Sequence, residues 1–234
     1  VRSRGLGDVY KRQEKSRIIV VLVVIALFLL LLPVIRDAGI QGKVIAKLKV
    51  EGRVLNHTCD IGLLEGWNLI SVPCSINQTD IREFMKAQTG SNLISVHSYT
   101  EGNASYNDHW KSYNPSLPEW VEQDLVNFSD RKGYWIRMRR QDRILVNGSI
   151  LVPSSMNLTE GWNLAGYRQN ETKSIEQGII SLGDDITYVF AYYANESGWR
   201  GYLHGCSNST NLTQMKPYYG YWIRMSKDRV WWIG

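Results

Sequence analysis

Hydrophobic positions fall into two regimes along this chain. Between Arg17 and Arg36 they are continuous: Ile18 to Ile35 is an 18-residue uncharged run, interrupted only by Pro33. An α-helix rises about 1.5 Å per residue, so such a run reaches roughly 27 Å, near the hydrocarbon thickness of a bilayer. Lys15 and Arg17 precede it, which predicts a cytoplasmic N-terminus and an external C-terminal part. A cleaved secretory signal is the rival reading. Its apolar region is usually shorter and ends in a small-x-small site, for which Asp37-Ala38-Gly39 is a weak match, so an uncleaved signal-anchor is favoured. Residues 1–13 begin without Met, resemble a translated sequencing adapter, and are set aside from the fold.

Past a short linker the pattern becomes short and alternating. Trp67–Val72, closed by Pro73, reads as a strand, as do Leu93–Tyr99, Trp110–Tyr113 and Tyr134–Met138. In the last of these Tyr134, Ile136 and Met138 face one way, Trp135 and Arg137 the other. Asp80–Ala87 reads as a short helix capped by Thr79 or Asp80, and Val121–Phe128 as a turn or short helix. The same order returns later, as a helix over Ser174–Leu182 and strands over Thr187–Tyr193 and Trp199–Leu203.

That return is an internal repeat. Glu65-Gly66-Trp67-Asn68-Leu69 recurs as Glu160-Gly161-Trp162-Asn163-Leu164, 95 residues on. Gly133-Tyr134-Trp135-Ile136-Arg137-Met138 recurs as Gly220-Tyr221-Trp222-Ile223-Arg224-Met225, 87 residues on, and Trp110-x-x-Tyr113 matches Trp199-x-x-Tyr202. The closing Arg229–Gly234 is matched to Arg143–Gly148. The expected architecture is mainly β (α+β): a cytoplasmic tail (1–17), a single transmembrane helix (18–35), a linker (36–47), and two tandem β-rich modules with one short helix each, 48–145 and 146–234. A chain closing on a module strand either ends there or continues into a further module. The paired blocks resemble the Gly-Trp-Asn … Gly-Tyr-Trp modules of secreted and cell-surface (S-layer or adhesin-like) proteins of archaea and some bacteria, over about residues 45–234. The resemblance implies an envelope or adhesive role without catalysis.

Composition sharpens the topology. Of the net charge of +5, the first 35 residues hold +4, leaving +1 for all the rest. The exterior is thus nearly neutral and carries no nucleic-acid footprint. Ten of the fifteen Asn begin Asn-x-Ser/Thr: Asn56, Asn77, Asn103, Asn127, Asn147, Asn157, Asn170, Asn195, Asn208 and Asn211. With Ser and Thr at about an eighth of residues, chance would give roughly two, with the tripeptide as the acceptor signal. All ten follow the apolar run, which predicts an N-glycosylated exterior, better suited to an archaeal envelope than to a bacterial one. Cys59 and Cys74 are close enough in sequence to pair outside the cell, the alternative being two thiols in half-buried strands; a pair would leave Cys206 outside it.

Candidate chemistry is sparse. The four His (His57, His97, His109, His204) show no metal-ligand spacing, and no nucleophile elbow, zinc helix or phosphate loop is present, so no metal, cofactor or catalytic residue is expected. Glu65 and Glu160 are the repeated acids, in turns where solvated residues are the ordinary occupants. Nine Trp and thirteen Tyr stand against four Phe, which suits half-exposed aromatic surfaces. The repeated Trp67, Trp110, Trp135, Trp162, Trp199 and Trp222 are expected to pack the module core, since repeated residues usually maintain the unit, the alternative being a sugar-stacking platform. The non-repeated Trp120, Trp231 and Trp232 are then the candidates for an exposed ligand platform. Expected partners are the membrane, glycans or other envelope proteins, with an adhesive or structural role first and carbohydrate binding or a surface hydrolase as alternatives.

Overall fold

In the computed structural model, residues 53–76, 79–100, 108–196, 198–206 and 210–234 are described. The tail, apolar run and linker expected over 1–47 lie outside them, as do Asn77, Asn103 and Asn208. Among the described residues no helix is long and apolar enough to cross a membrane.

The described chain is mainly β with two short α-helices, and its elements come twice in the same order. The first half runs β1 (Arg53–Leu63), β2 (Gly66–Ile70), β3 (Thr79–Asp80), α1 (Ile81–Thr89), β4 (Leu93–Tyr99), β5 (Trp110–Tyr113), β6 (Asn127–Phe128), β7 (Tyr134–Met138) and β8 (Asp142–Val152). The second runs β9 (Ser154–Leu158), β10 (Gly161–Gly166), β11 (Lys173–Ser174), α2 (Ile175–Ile179), β12 (Ile186–Tyr193), β13 (Gly198–Leu203), β14 (Gln214–Met215), β15 (Gly220–Met225) and β16 (Arg229–Ile233). A four-stranded sheet β2-β7-β4-β5 is answered by β10-β15-β12-β13, the ribbon β1-β8 by β9-β16, and the short pair β3-β6 by β11-β14. Every pairing is antiparallel.

Each repeated motif has a local physical cause. Gly66 and Gly161 adopt φ of 87° and 90°, a left-handed turn that favours glycine. The following Asn ties that turn: Asn68 Oδ1 accepts from the Leu64 N–H at 2.8 Å while its Nδ2 donates to the Leu64 carbonyl at 2.8 Å. Asn163 does the same with Thr159, at 2.9 and 2.8 Å. In the second motif the buried Tyr134 and Tyr221 accept from the backbone N–H of Ser129 (2.7 Å) and Lys216 (2.6 Å), holding the loop that precedes each strand. Burial drives the Tyr221 phenol well above its ordinary pKa. The helices start at side-chain caps. Asp80 accepts from the N–H groups of Arg82 and Glu83, and Ser174 forms a reciprocal capping box with Gln177.

Each half has its own apolar core. Ile61, Met85, Val96, Phe128, Tyr134, Ile136 and Ile144 belong to the first, and Met156, Ile179, Val189, Tyr221, Ile223 and Trp231 to the second. Cys59 and Cys74 form a disulfide within the first core, 15 residues apart in sequence. Closing a loop of that length contributes about 3 kcal/mol in the chain-entropy account.

The halves join in one compact unit, 52–234, through contacts made twice. Ile70 bridges Tyr219 and, equivalently, Ala165 bridges Lys132. The Ser71 N–H donates to the Tyr218 carbonyl at 2.9 Å, and the Gly166 N–H to the Arg131 carbonyl at 3.0 Å. Gly133 and Gly220 meet at the centre. A Cβ on Gly133 would lie 2.9 Å from Leu164 Cδ1, and one on Gly220 2.8 Å from the Ile70 carbonyl oxygen. The opening residue of Gly-Tyr-Trp is thus glycine because backbones approach there. Other junction contacts are single: Ser71 Oγ donates to the Tyr219 carbonyl at 2.8 Å and accepts from the Tyr167 N–H at 3.1 Å, and Arg168 Nη2 and Asp130 Oδ2 form a buried ion pair at 2.8 Å.

Three sequence expectations shift. Val121–Phe128 contains no helix; bends lead into β6. The boundary expected between residues 145 and 146 falls within β8, which pairs with β1 along its whole length, and the chain passes to the second half at Pro153. The closing strand matches one residue later than its arginines suggest. Ile144, opposite Ile61, corresponds to Trp231, opposite Met156, so Asp142, not Arg143, is the counterpart of Arg229. Burial sets this register, and Arg229 is an exposed residue free to differ.

Candidate functional site

Strand alternation leaves one face of each four-stranded sheet on the core and turns the other outward. Along β7 the inward residues are Tyr134, Ile136 and Met138, so Trp135 and Arg137 point out; β15 places Trp222 and Arg224 identically. Cross-strand register adds Trp67 opposite Arg137 and Trp162 opposite Arg224, with Trp110 opposite Tyr99 and Trp199 opposite Tyr192. The outward faces are therefore rich in aromatic rings, interspersed with residues such as Leu69, Ser95 and Ser112 on the first and Leu164, Gly201 and Leu203 on the second. Trp67, Trp110, Trp162 and Trp199 are between 36 and 50 % exposed.

The aromatic residues of the two halves interlock. Trp222 sits with Tyr99 and Trp110 of the first half, ring centroids 5.0 and 5.7 Å away. Trp135 sits with Tyr192 and Trp199 of the second, at 5.3 and 5.6 Å. Each cluster is thus two rings from one half and one from the other. Edge and tilted contacts at these distances contribute about 0.5–1.5 kcal/mol per pair beyond area burial, and they fix the ring planes. Two clefts result. One, of about 490 Å³, is lined by Trp67, His97, Trp110, Trp135, Tyr192 and Trp199. The other, of about 370 Å³, is lined by Tyr99, Trp162, Phe190, Trp199 and Trp222, so the two share Trp199.

The clefts differ where the repeat has diverged. Val96 lies opposite Ile136 and Val189 opposite Ile223, which makes Ser95 and His97 the counterparts of Tyr188 and Phe190. The larger cleft thereby gains a polar lining group. His97 Nε2 is 2.9 Å from Ser95 Oγ, and burial lowers its pKa, opposed by the charge of Asp124. The imidazole is therefore neutral at pH 7 and offers a hydrogen bond without a charge. Arg137 Cζ stands 5.5 Å from the Trp67 ring centroid, and Arg224 Cζ 5.9 Å from that of Trp162.

This arrangement reverses the expected roles of the tryptophans. The repeated set lines the outer face and not the core, because Asn68, Ile70, Tyr134, Ile136 and their counterparts fill the inward positions. Trp231, expected on an exposed platform, is 0 % exposed, and its indole Nε1 donates to the Gly178 carbonyl at 2.8 Å. Trp120 (85 % exposed) and Trp232 (57 %) are at the surface, but neither lines a cleft. The signal that placed the repeated Trp was present: Trp135 shares its face with Arg137. Tyr99, His97, Phe190 and Tyr192 went unrecognised because their role depends on which sheets meet.

Of the ten sequon asparagines, Asn127, Asn147, Asn157, Asn195 and Asn211 are exposed and Asn170 is half-buried. Asn56 lies in β1 opposite Ser149. Asn127, Asn147, Asn157, Asn170, Asn195 and Asn211 line neither aromatic cleft, nor do Glu65 and Glu160, although Asn195 borders a separate pocket with Tyr192 and Tyr218. Among the described residues there is no cluster of three or more His, Cys, Asp or Glu able to hold a metal. No protein-family model, curated protein or solved structure matches this chain.

Proposed function

We propose that this chain is a cell-surface recognition protein that binds carbohydrate on the outward aromatic faces of its paired sheets. The observation that carries this reading is the pair of open clefts walled by Trp67, Trp110, Trp135, Trp162, Trp199 and Trp222. A sugar ring presents a flat patch of C–H groups, electropositive at hydrogen, which complements the negative face of an indole. Rings already held by neighbouring rings lose little entropy on contact. Recognition by stacking needs no bond to be made or broken, and adhesion to a glycan-bearing surface is its natural use.

In this proposal residues 18–35 are the membrane anchor, 1–17 the cytoplasmic tail, and the paired β-rich repeats the exterior, in keeping with the resemblance to envelope modules. Glycans at Asn127, Asn147, Asn157, Asn170 and Asn211 would be attached at residues that line neither aromatic cleft. Mass spectrometry of the chain from its native membranes, with thiols trapped on lysis, is expected to find glycan on Asn147 and Asn157 and Cys59 bonded to Cys74. Bare asparagines and alkylated cysteines in a cytosolic fraction would refute the exterior placement.

Binding is tested with the full-length chain on a panel of immobilised polysaccharides. Trp67→Ala and Trp199→Ala are each expected to weaken binding by 10-fold or more, the effect of losing an interface anchor of about 2 kcal/mol. Trp120→Ala should leave it unchanged. Binding that survives both cleft substitutions, or a panel with no saccharide bound, sinks the reading.

A further inference from the structure

Resting on the carbohydrate reading, we infer that the ligand is an anionic glycan of repeating acidic units, a polyuronate, whose carboxylates are read by Arg137 and Arg224. These two arginines occupy equivalent outward positions, directly across the sheet from Trp67 and Trp162. Each guanidinium lies over the indole of its cross-strand partner. Among the described residues neither takes part in an ion pair, whereas Arg143, Arg168, Arg200 and Arg229 all do. A cation–π contact at 5.5 to 6.0 Å uses none of the guanidinium's N–H donors, and Arg224 makes a second one with Tyr188, so the donors that meet a carboxylate in a bidentate fork are not consumed by the rings.

The ordinary alternative is a cross-strand Arg–Trp pair that merely covers sheet surface. Two observations favour a ligand. The outward positions of β2, β4, β5 and β7, and those of β10, β12, β13 and β15, hold no Asp or Glu, so within these strands the outward formal charges are the two arginines. The nearest acid acting on a cleft residue, Asp124, is engaged elsewhere: it accepts from the Ser112 N–H at 2.6 Å and pairs with Lys111 at 3.5 Å. The Arg–Trp pair also persists in both halves although the flanking Ser95 and His97 have become Tyr188 and Phe190. The clefts share Trp199, and each is bordered by the tryptophan that its arginine faces, Trp67 in one and Trp162 in the other, so a ligand of repeating units long enough to span both would pass beside each arginine at the rim.

The test is calorimetric titration of the full-length chain with oligogalacturonate, its fully methyl-esterified form, and a neutral cellulose-derived oligosaccharide. The acid form is expected to bind at least 10-fold more tightly than the other two, with affinity falling as salt rises. The double variant Arg137→Gln, Arg224→Gln should bring the acid form down to the level of its ester, leave the neutral oligosaccharide unaffected, and flatten the salt dependence. Equal binding of acid and ester by the unaltered chain overturns the inference whatever the variants do. Tight neutral binding that depends on Trp67 and Trp199 but not on the arginines also overturns it while leaving the carbohydrate reading intact. Failure of all three saccharides to bind removes both.

Discussion

Replacing Asp130 with Ala is expected to destabilise the folded unit by about 3–5 kcal/mol, because it strands the buried Arg168 guanidinium at the junction of the two halves. Both side chains are almost wholly withdrawn from solvent, and Arg168 Nε is already buried without a hydrogen-bond partner. With the carboxylate gone, the remaining charge keeps its full desolvation cost and loses its compensation. For a unit of this size that corresponds to a fall of roughly 10 °C in Tm. The pair as a whole is a different matter. Changing both residues to Leu removes two desolvation costs at once and should recover most of the loss. Scanning calorimetry of Asp130→Leu, Arg168→Leu and the double Leu variant, alongside Asp130→Ala, closes the cycle. A single variant within 1 °C of the parent would show that the pair is solvated and not a buried hinge between the halves.

Trp231→Ala carries the second large effect, also about 3–5 kcal/mol, the cost of deleting a large buried aromatic. Trp231 is fully buried in the second core, against Tyr167, with ring centroids 6.4 Å apart, and its indole N–H satisfies the Gly178 carbonyl. Truncation leaves both a cavity and an unpaired buried acceptor. Its neighbour Trp232 points to solvent, and Trp232→Ala should change stability by less than about 0.5 kcal/mol. Urea denaturation monitored by circular dichroism separates the two. Equal losses from both substitutions would contradict the register in which Trp231 takes the place of Ile144.

Much of the architecture was legible from short-range pattern. β4, β5 and β7 fall at the expected residues, most plainly β7, which alternates between core and surface, and α1 begins at an expected cap, Asp80. The Gly-Trp-Asn and Gly-Tyr-Trp blocks mark equivalent strands, β2 with β10 and β7 with β15. Expectation failed where recurrence was given more weight than alternation. Trp135 lies between the inward Tyr134 and Ile136, which already sends it outward, however faithfully it recurs. It failed again at Arg229, where matching a charged residue shifted the last strand by one position and turned Trp231 from core to surface. The clefts themselves were beyond reach. Nothing local to Tyr99 or Tyr192 reveals that each will touch a tryptophan from the opposite half, because that contact depends on Gly133 meeting Gly220.

The paired bridges about those two glycines are the isologous contacts of a two-fold dimer, with the protomers tied end to end at Pro153. A true homodimer must carry the same residue on both sides of its axis. Fusion lifts that restriction. The positions equivalent to Asp130 and Arg168 on the other side are Pro217 and Pro73, so the ion pair is made once and not twice, which identical protomers could not do. The same freedom lets one recess carry His97 where its twin carries Phe190, so the two recesses differ in chemistry although the backbone around them repeats.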